Sequence, residues 1–457
     1  MGNQVHTYQQ GGLNLALDVN TGILHILDAP ALAVANYLQE NPEASREDAM
    51  SSLFKSFPMT QLTEAWEEIA ELKRNDQIFA DSVEVPDLFA EEPILKSLCL
   101  HVAHDCNLRC EYCFAATGNF GGGRSLMDTE TGKKAIDFLI QKSGTRRHLE
   151  LDYFGGEPLM NLPVVIELTA YVKEQAKIHN KEFKLTLTTN GVLLTEEAQK
   201  FLNEEEISLV LSLDGRKEVH DKMRPNVGGQ GSYETVVERF KEVIAGRPEK
   251  KDYYLRGTFT AWNKDFSKDV LHMADIGFTE LSVEPVVTQD ERLAFTEADL
   301  PQLFSEYDLL AEEFLKRHDE GRPFLFFHFL QEMYKGPCMQ KRLSGCGAGH
   351  EYAAVTPEGD LYPCHQFVGR EEYKMGNLDE GILKPELPEE FRNTHVLTKE
   401  GCIDCWARFH CSGGCHANAE QFNGDIKKPY KLACDLQKKR IECALYIQAQ
   451  LALKEQK

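Results

Sequence analysis

The sequence predicts an α/β protein: a partial (β/α)6 TIM-type barrel, a small domain of three strands and three helices before it, and a cysteine-rich zone after it. Three observations carry this. Six apolar strand-like runs (KSLCLHV, LELDYF, FKLTLTT, SLVLSL, YYLRGTF and TELSVEP) alternate with helical stretches between residues 94 and 315, and repeated βα units imply a parallel sheet. Ahead of them, over residues 1 to 85, three strand-like runs precede three helical patterns. Behind them, residues 316 to 457 hold nine of the 13 cysteines, many glycines and little periodicity. Metal, rather than a large apolar core, is expected to organise that last zone.

Taken in order, VHTYQ, LNLALDV and ILHIL alternate or cluster apolar residues as short strands, with Asn20, Thr21 and Gly22 as the turn between the last two. Asp28 suits the N-cap of a first helix that has Pro30 in its first turn, and Ser45 with Asp48 makes a capping box for a second. In the third, Leu62, Ala65, Trp66, Ile69 and Leu72 fall three and four residues apart and give one apolar face. The acidic stretch DSVEVPDLFAEEP, 81 to 93, reads as a linker. In the six βα units that follow, chemistry is expected on the loops at the C-terminal ends of the strands.

Composition excludes several classes. A net charge of −23 and a pI near 5.1 leave no basic stripe for phosphates, so nucleic acid is not an expected partner. No apolar run approaches the roughly 18 residues that span a bilayer, and MGNQVHTYQQGG lacks the pattern of a signal peptide. No membrane association and a cytoplasmic location are expected, where cysteines bind metal more readily than they form a disulfide framework.

Cys106, Cys110 and Cys113 lie in HDCNLRCEYCFA, directly after the first strand of the βα series. A short loop with CxxxCxxC spacing can aim three thiolates at three corners of a four-iron cluster, leaving one iron open for an exogenous ligand. Zinc would take four protein ligands and close its shell. CxxxCxYC after a first strand resembles the signature of the radical S-adenosylmethionine (SAM) superfamily. The resemblance implies that the three cysteines hold a SAM-cleaving [4Fe–4S] cluster and that Tyr112 lies near the adenine. It also implies that Gly155, Gly156 and Glu157 of the GGEP segment admit SAM and accept from its ammonium. By the same resemblance Ser212 and Asp214 of LSLDG contact its ribose or methionine part, and Arg256 of YYLRGTF pairs with its carboxylate. The implied chemistry is reductive SAM cleavage to a 5′-deoxyadenosyl radical, fed by a small electron donor such as flavodoxin or ferredoxin, with the barrel positioning the reactants.

Downstream, Cys346 and Cys364 flank Gly359 as Cx12Gx4C, and Cys402, Cys405, Cys411 and Cys415 follow as CxxCx5CxxxC, with Cys434 beyond. The five-residue gap is too short for a zinc ribbon. The pattern resembles the seven-cysteine SPASM domain of peptide-modifying radical SAM enzymes, which holds two auxiliary [4Fe–4S] clusters. That resemblance implies that Cys346, Cys364 and Cys415 serve the first auxiliary cluster, and that Cys402, Cys405, Cys411 and Cys434 complete the second. Cys338, eight positions before Cys346, is a further candidate for the first, and the spacing leaves that open. Cys99 and Cys443 read as buried packing residues.

The strand-then-helix pattern at the start resembles the PqqD-like winged-helix element that recognises the leader of a ribosomally made peptide by adding it to a sheet edge. End to end, the chain is similar to thioether-forming maturases of Cys-rich peptides, the SCIFF maturase group and its relatives. The segments that carry this likeness are LDVNTG, RRHLELDYFGGEPLMN, LTLTTNGVLL, LSLDGRKEVHDKMRP, RGTFT and KRLSGCGAGHEYAAVTPEGDLYPCHQFVG. It implies a sactionine- or ranthipeptide-type oxidoreductase acting on a Cys-rich precursor peptide with a leader. Two alternatives stand beside it. An anaerobic sulfatase-type maturase would form formylglycine, although such enzymes usually carry an acidic residue where this chain has His365. A non-catalytic iron–sulfur scaffold would not need the open iron.

Overall fold

A computed structural model describes residues 4–81, 94–247, 252–330 and 339–455. The first three strands, β1 (Val5–Gln10), β2 (Leu13–Asp18) and β3 (Leu24–Leu27), form an antiparallel sheet in the order β1-β2-β3. Asp18 closes the turn after β2 by accepting from the backbone N–H groups of Asn20 and Thr21.

Helices α1 (Ala29–Glu40), α2 (Arg46–Leu53) and α3 (Met59–Arg74) follow. The Asp28 carboxylate caps α1 through Ala31 N–H at 2.8 Å, and Ser45 with Asp48 makes the reciprocal capping box of α2. Each cap satisfies N–H groups that have no partner inside the helix. Leu62, Ala65 and Ile69 turn the apolar face of α3 onto Val5, Ala16 and Val34 in a separate small core. All but one residue of the acidic stretch 81–93 lie outside the described residues.

Six longer strands then alternate with helices: β4 (Ser97–Ala103), α4 (Thr129–Lys142), β5 (His148–Gly155), α5 (Leu162–Ile178), β6 (Glu182–Thr189), α6 (Glu196–Glu204) and β7 (Ser208–Ser212). After them come α7 (Lys217–Met223), α8 (Tyr233–Ala245), β8 (Tyr253–Phe259), α9 (Phe266–Asp275), β9 (Glu280–Pro285) and α10 (Leu300–Asp319). The six strands pair in sequence order and all in parallel. β4 is buried throughout, as a strand covered on both faces must be.

The sheet does not stop there. On one side β10 (Leu325–Phe326) adds in parallel to β9; on the other, β11 (Tyr352–Val355) adds in parallel to β4. β12 (Asp360–Tyr362), β13 (Gly376–Asn377) and β14 (Gly381–Ile382) continue antiparallel, giving eleven mostly parallel strands. The cysteine-rich zone is thus bound to the main sheet through its own backbone hydrogen bonds. Its last helix, Lys431–Glu455, buries Leu432, Leu436, Cys443, Ala444 and Ile447 in the same core as β4 to β9. This corrects the expectation that metal rather than an apolar core organises the zone, since apolar burial is the main favourable term wherever such a helix packs. Cys99 and Cys443 are buried, as expected for packing residues. Among the described residues no helix is long and apolar enough to cross a membrane.

Candidate functional site

The loops beyond the C-terminal ends of the parallel strands enclose a cavity of about 230 Å³. Cys106, Cys110, Tyr112 and Cys113 line it from the loop after β4, and Gly155 and Gly156 from the end of β5. Asn190 after β6, Ser212 of β7, Arg256 and Thr258 of β8, Glu284 of β9 and Arg224 after α7 complete its sides. His365 and Gln366 close it from the cysteine-rich zone.

The three-cysteine loop is held by backbone. Arg109 N–H donates to Pro225 O at 2.8 Å and Glu111 N–H to Met223 O at 2.9 Å, with a bridge between Leu108 and Asn226. Gly156 N–H donates to Ala103 O and Glu157 N–H to Asp105 O. A Cβ on Gly155, whose φ is +128°, would stand 2.2 Å from Ala103 O, and one on Gly156 would stand 2.2 Å from Asp105 O. Both glycines line the cavity, but the space a side chain would fill belongs to the end of β4 at Gly155 and to the start of the cysteine loop at Gly156, so close approach of two backbones is what demands them.

Two expected SAM contacts do not reach the cavity. Glu157 is fully buried, and its carboxylate accepts from Leu159 N–H, Thr189 Oγ1 and Asn190 N–H at 3.1, 2.8 and 2.8 Å. It stitches the end of β5 to the end of β6, and burial raises its pKa to about 7. Asp214 is likewise enclosed: it accepts from Tyr112 Oη at 2.7 Å, Arg224 Nε at 3.0 Å and Thr258 N–H at 2.9 Å. Neither carboxylate is among the residues that line the cavity. A carboxylate surrounded by inward-pointing donors orders the walls instead. Tyr112, Ser212 and Arg256 do face the cavity. The Arg224 guanidinium lies 5.4 Å from the centroid of the Tyr112 ring.

The thiols sit where iron would suit them. Burial pushes Cys106 up to about 11 and Cys110 up to about 12. Leu108 N–H at 3.4 Å and Asn190 Nδ2 at 3.7 Å aim donors at Cys106 Sγ, and Arg224 opposes the rise at Cys110. Burial alone therefore favours the protonated thiols; iron would have to displace those protons, and the Leu108 and Asn190 donors with Arg224 are the groups that offset the thiolate charge.

Sequence reasoning passed over several lining groups. Asn190 stands in the turn TTNG that ends β6, a signal that the end-of-strand rule could have caught. Arg224 and Thr258 lie in the segments LSLDGRKEVHDKMRP and RGTFT without being singled out there, and Glu284 lies in the strand run TELSVEP. Glu284 is tied to two distant elements: His328 Nε2 lies 3.3 Å away, and Arg440 of the last helix donates to it at 3.3 Å. Burial opposes its charge, but His328, Arg440 and Arg256 outweigh that and hold it down at about 2.

The remaining cysteines fall into two groups by mutual electrostatic influence. Cys364 feels Cys415 and Cys346, whereas Cys434 feels Cys411, Cys402 and Cys405. The same two sets are those that the SPASM resemblance implies. Between them Lys399 is buried, and its ammonium donates to Gly413 O at 2.9 Å and Gly414 O at 3.3 Å, in the turn joining Cys411 to Cys415. Cys338 lies outside the described residues. Among the described residues no three His, Cys, Asp or Glu side chains can share one metal ion. A cluster, which gives each thiolate its own iron, does not require that.

The model of a 4Fe-4S single cluster domain matches residues 97–238, and that of the SPASM iron-sulfur cluster-binding domain matches 346–406. These matches cover the three-cysteine loop and four of the seven later cysteines. Over these two regions the chain is similar to radical SAM/SPASM enzymes. Its cofactors are SAM and [4Fe–4S] clusters, and thiol sets of three, three and four fit a count of three clusters. The radical SAM cyclopropyl synthase TigE of Paramaledivibacter caminithermalis is 24% identical over 75% of this chain and 72% of its own length. A cysteine-type anaerobic sulfatase-maturating enzyme of Clostridium novyi is 25% identical over 71% of this chain and 90% of its own. Among solved structures, anSMEcpe with bound AdoMet has a TM-score of 0.65 at 20% identity, covering 79% of this chain and 96% of that one. Streptococcus suis SuiB bound to S-adenosylmethionine has a TM-score of 0.50 at 15% identity over 94% and 98%. Both likenesses speak to the fold, a large and mostly parallel α/β sheet.

Proposed function

We propose that the chain is a radical SAM peptide maturase that joins a Cys sulfur to a carbon of another residue in a ribosomally made, Cys-rich precursor. One observation carries this reading. His365 and Gln366, the two residues after Cys364, form a wall of the cavity into which Cys106, Cys110 and Cys113 face. The first auxiliary site therefore adjoins the space where hydrogen abstraction would occur. Cys346, Cys364 and Cys415 are three thiols for four corners, so a corner is available to a substrate thiolate unless Cys338 takes it.

In this reading Cys106, Cys110 and Cys113 hold the SAM-cleaving cluster, and Cys402, Cys405, Cys411 and Cys434 the second auxiliary one. Arg256 offers its cation to the SAM carboxylate, Ser212 and Thr258 offer hydroxyls, and Tyr112 lies beside the adenine. When bound, SAM and the reduced cluster supply hydrogen abstraction at carbon. The chain orients the two partners and keeps water out. The peptide loses two hydrogen atoms overall, one from carbon and one from sulfur, with SAM as the oxidant and a flavodoxin or ferredoxin as the initial electron source. The β4–β9 units act as the partial barrel. The β1–β3 sheet with α1–α3 acts as a PqqD-like element, pairing a leader with a free edge such as β3.

A second reading, formylglycine formation, draws on the sulfatase-maturating relatives. Against it, the position after Cys364 is His365, which burial keeps neutral with a pKa near 4, rather than an acidic residue. Mass spectrometry of a small Cys-rich peptide coexpressed with the chain separates the two. Thioether formation removes two hydrogens per crosslink and blocks thiol labelling. Loss of the Cys sulfur without a crosslink would overturn the proposal.

A further inference from the structure

The N-terminal sheet is not a separate appendage. Leu17 and Val19 at the end of β2 pack with Trp406, Ala407, Ile441 and Leu445 in one small core, against which Cys405 and Cys411 also lie. The His6 ring of β1 stacks on the Trp406 indole with centroids 3.7 Å apart and planes 2° from parallel. His6 Nε2 also meets Glu442 Oε1 at 2.9 Å.

A polar chain runs beside this stack. Arg408 donates through Nη2 to Asn20 Oδ1 at 2.7 Å and through Nη1 to Cys405 O at 3.3 Å. Asn20 in turn donates from Nδ2 to Ala80 O at 2.8 Å. Asp18, fully buried, receives Asn20 N–H, Thr21 N–H and Ala80 N–H, so the turn that carries Asn20 is itself fixed. Both contacts land on the CIDCWARFHC segment, the loop that carries Cys402, Cys405 and Cys411. A short loop with a four-residue helix, Arg408–Cys411, has little structure of its own, and the orientation of metal ligands depends on the groups behind them.

We infer that the N-terminal domain is a positioning element of the second auxiliary cluster: the Asn20–Arg408 clasp and the His6–Trp406 stack hold Cys402, Cys405 and Cys411 in place. This rests on the assignment of those cysteines to a cluster. Asn20 and His6 touch neither the cavity nor a thiol, so they act through Arg408 and Trp406. Their loss should loosen one cluster of three and leave the SAM-cleaving loop intact. Asn20→Asp keeps an oxygen for Arg408, whereas Asn20→Leu keeps nothing.

The test uses the full chain, reconstituted anaerobically, with Asn20→Leu, the double variant His6→Ala/Asn20→Leu, and Asn20→Asp. Iron release to a chelator is followed, with electron paramagnetic resonance during stepwise reduction. The expected result is that about one third of the iron leaves several-fold faster in the first two, with one auxiliary signal altered and the SAM-responsive signal unchanged. Asn20→Asp, which keeps the oxygen for Arg408 but loses the donor to Ala80 O, should release that iron more slowly than Asn20→Leu. Identical release and spectra in all variants would overturn the inference, and so would equal loss from all three clusters, which would mark a general folding defect. A parent protein that never binds the third cluster would instead sink the ligand assignment.

Discussion

At the scale of single residues, the three thiols after β4 tolerate least. Each is to bind its own iron, so loss of one leaves a cluster with two protein anchors. Cys110→Ala should abolish SAM cleavage and lower iron content by about one third, while the two later cysteine sets keep theirs; iron analysis and chromatography for 5′-deoxyadenosine check this. Glu157 offers a test through pH. Its ordinary value is 4.5, and burial raises it to about 7 despite three donors. A carboxyl raised on folding favours the protonated folded form. Its contribution is therefore most favourable below pH 4.5 and declines as pH rises through 7, by up to about 3 kcal/mol. Glu157→Gln cannot titrate, so the variant should gain on the parent between pH 5 and pH 7.5. Denaturant unfolding at both values measures this; an unchanged difference would count against the buried position.

Among elements, the junction of β5 with the cysteine loop is the tightest. Gly156→Ala would put a methyl 2.2 Å from Asp105 O, a backbone atom that can move only with the cysteines. Overpacking of this kind costs about 1–3 kcal/mol. The variant should bind less iron at the SAM-cleaving site and show slower SAM cleavage, with the auxiliary signals retained. The element scale is also where sequence served best. The apolar run FKLTLTT ends where β6 ends and SLVLSL one residue past the end of β7, because the period-two signal and burial on both faces are local properties. The caps at Asp28 and Ser45 were legible for the same reason. Strands β10 to β14, of two to four residues, gave no periodicity to read, and their pairing is set by tertiary contact. The site divides likewise. Cysteine spacing brings Cys106, Cys110 and Cys113 to one loop, but nothing in DG or GGEP says that Asp214 and Glu157 turn away from the cavity. Arg224 and Glu284 come from separate elements joined only by folding.

For the whole molecule, continuity is the main result. Backbone pairing of β11 with β4 sets the cysteine-rich zone against the first strand of the parallel series, and the last helix sends Arg440 back to Glu284 in the cavity wall. Sheet, cavity wall and cysteine-rich zone are therefore joined through one sheet and one core. A precursor with its acceptor Cys should perturb the spectrum of the first auxiliary cluster, and the same peptide with that Cys changed to Ala should not. Equal effects of the two peptides would argue against thiolate binding there.

The most direct measurement is made on the reduced, anaerobically reconstituted protein, by recording its electron paramagnetic resonance spectrum before and after SAM is added and assaying for 5′-deoxyadenosine. The expected result is a SAM-dependent change in one cluster's signal, with SAM consumed, and neither in the Cys110→Ala variant. An unmoved signal with SAM intact, or zinc in place of iron at Cys106, Cys110 and Cys113, would contradict it.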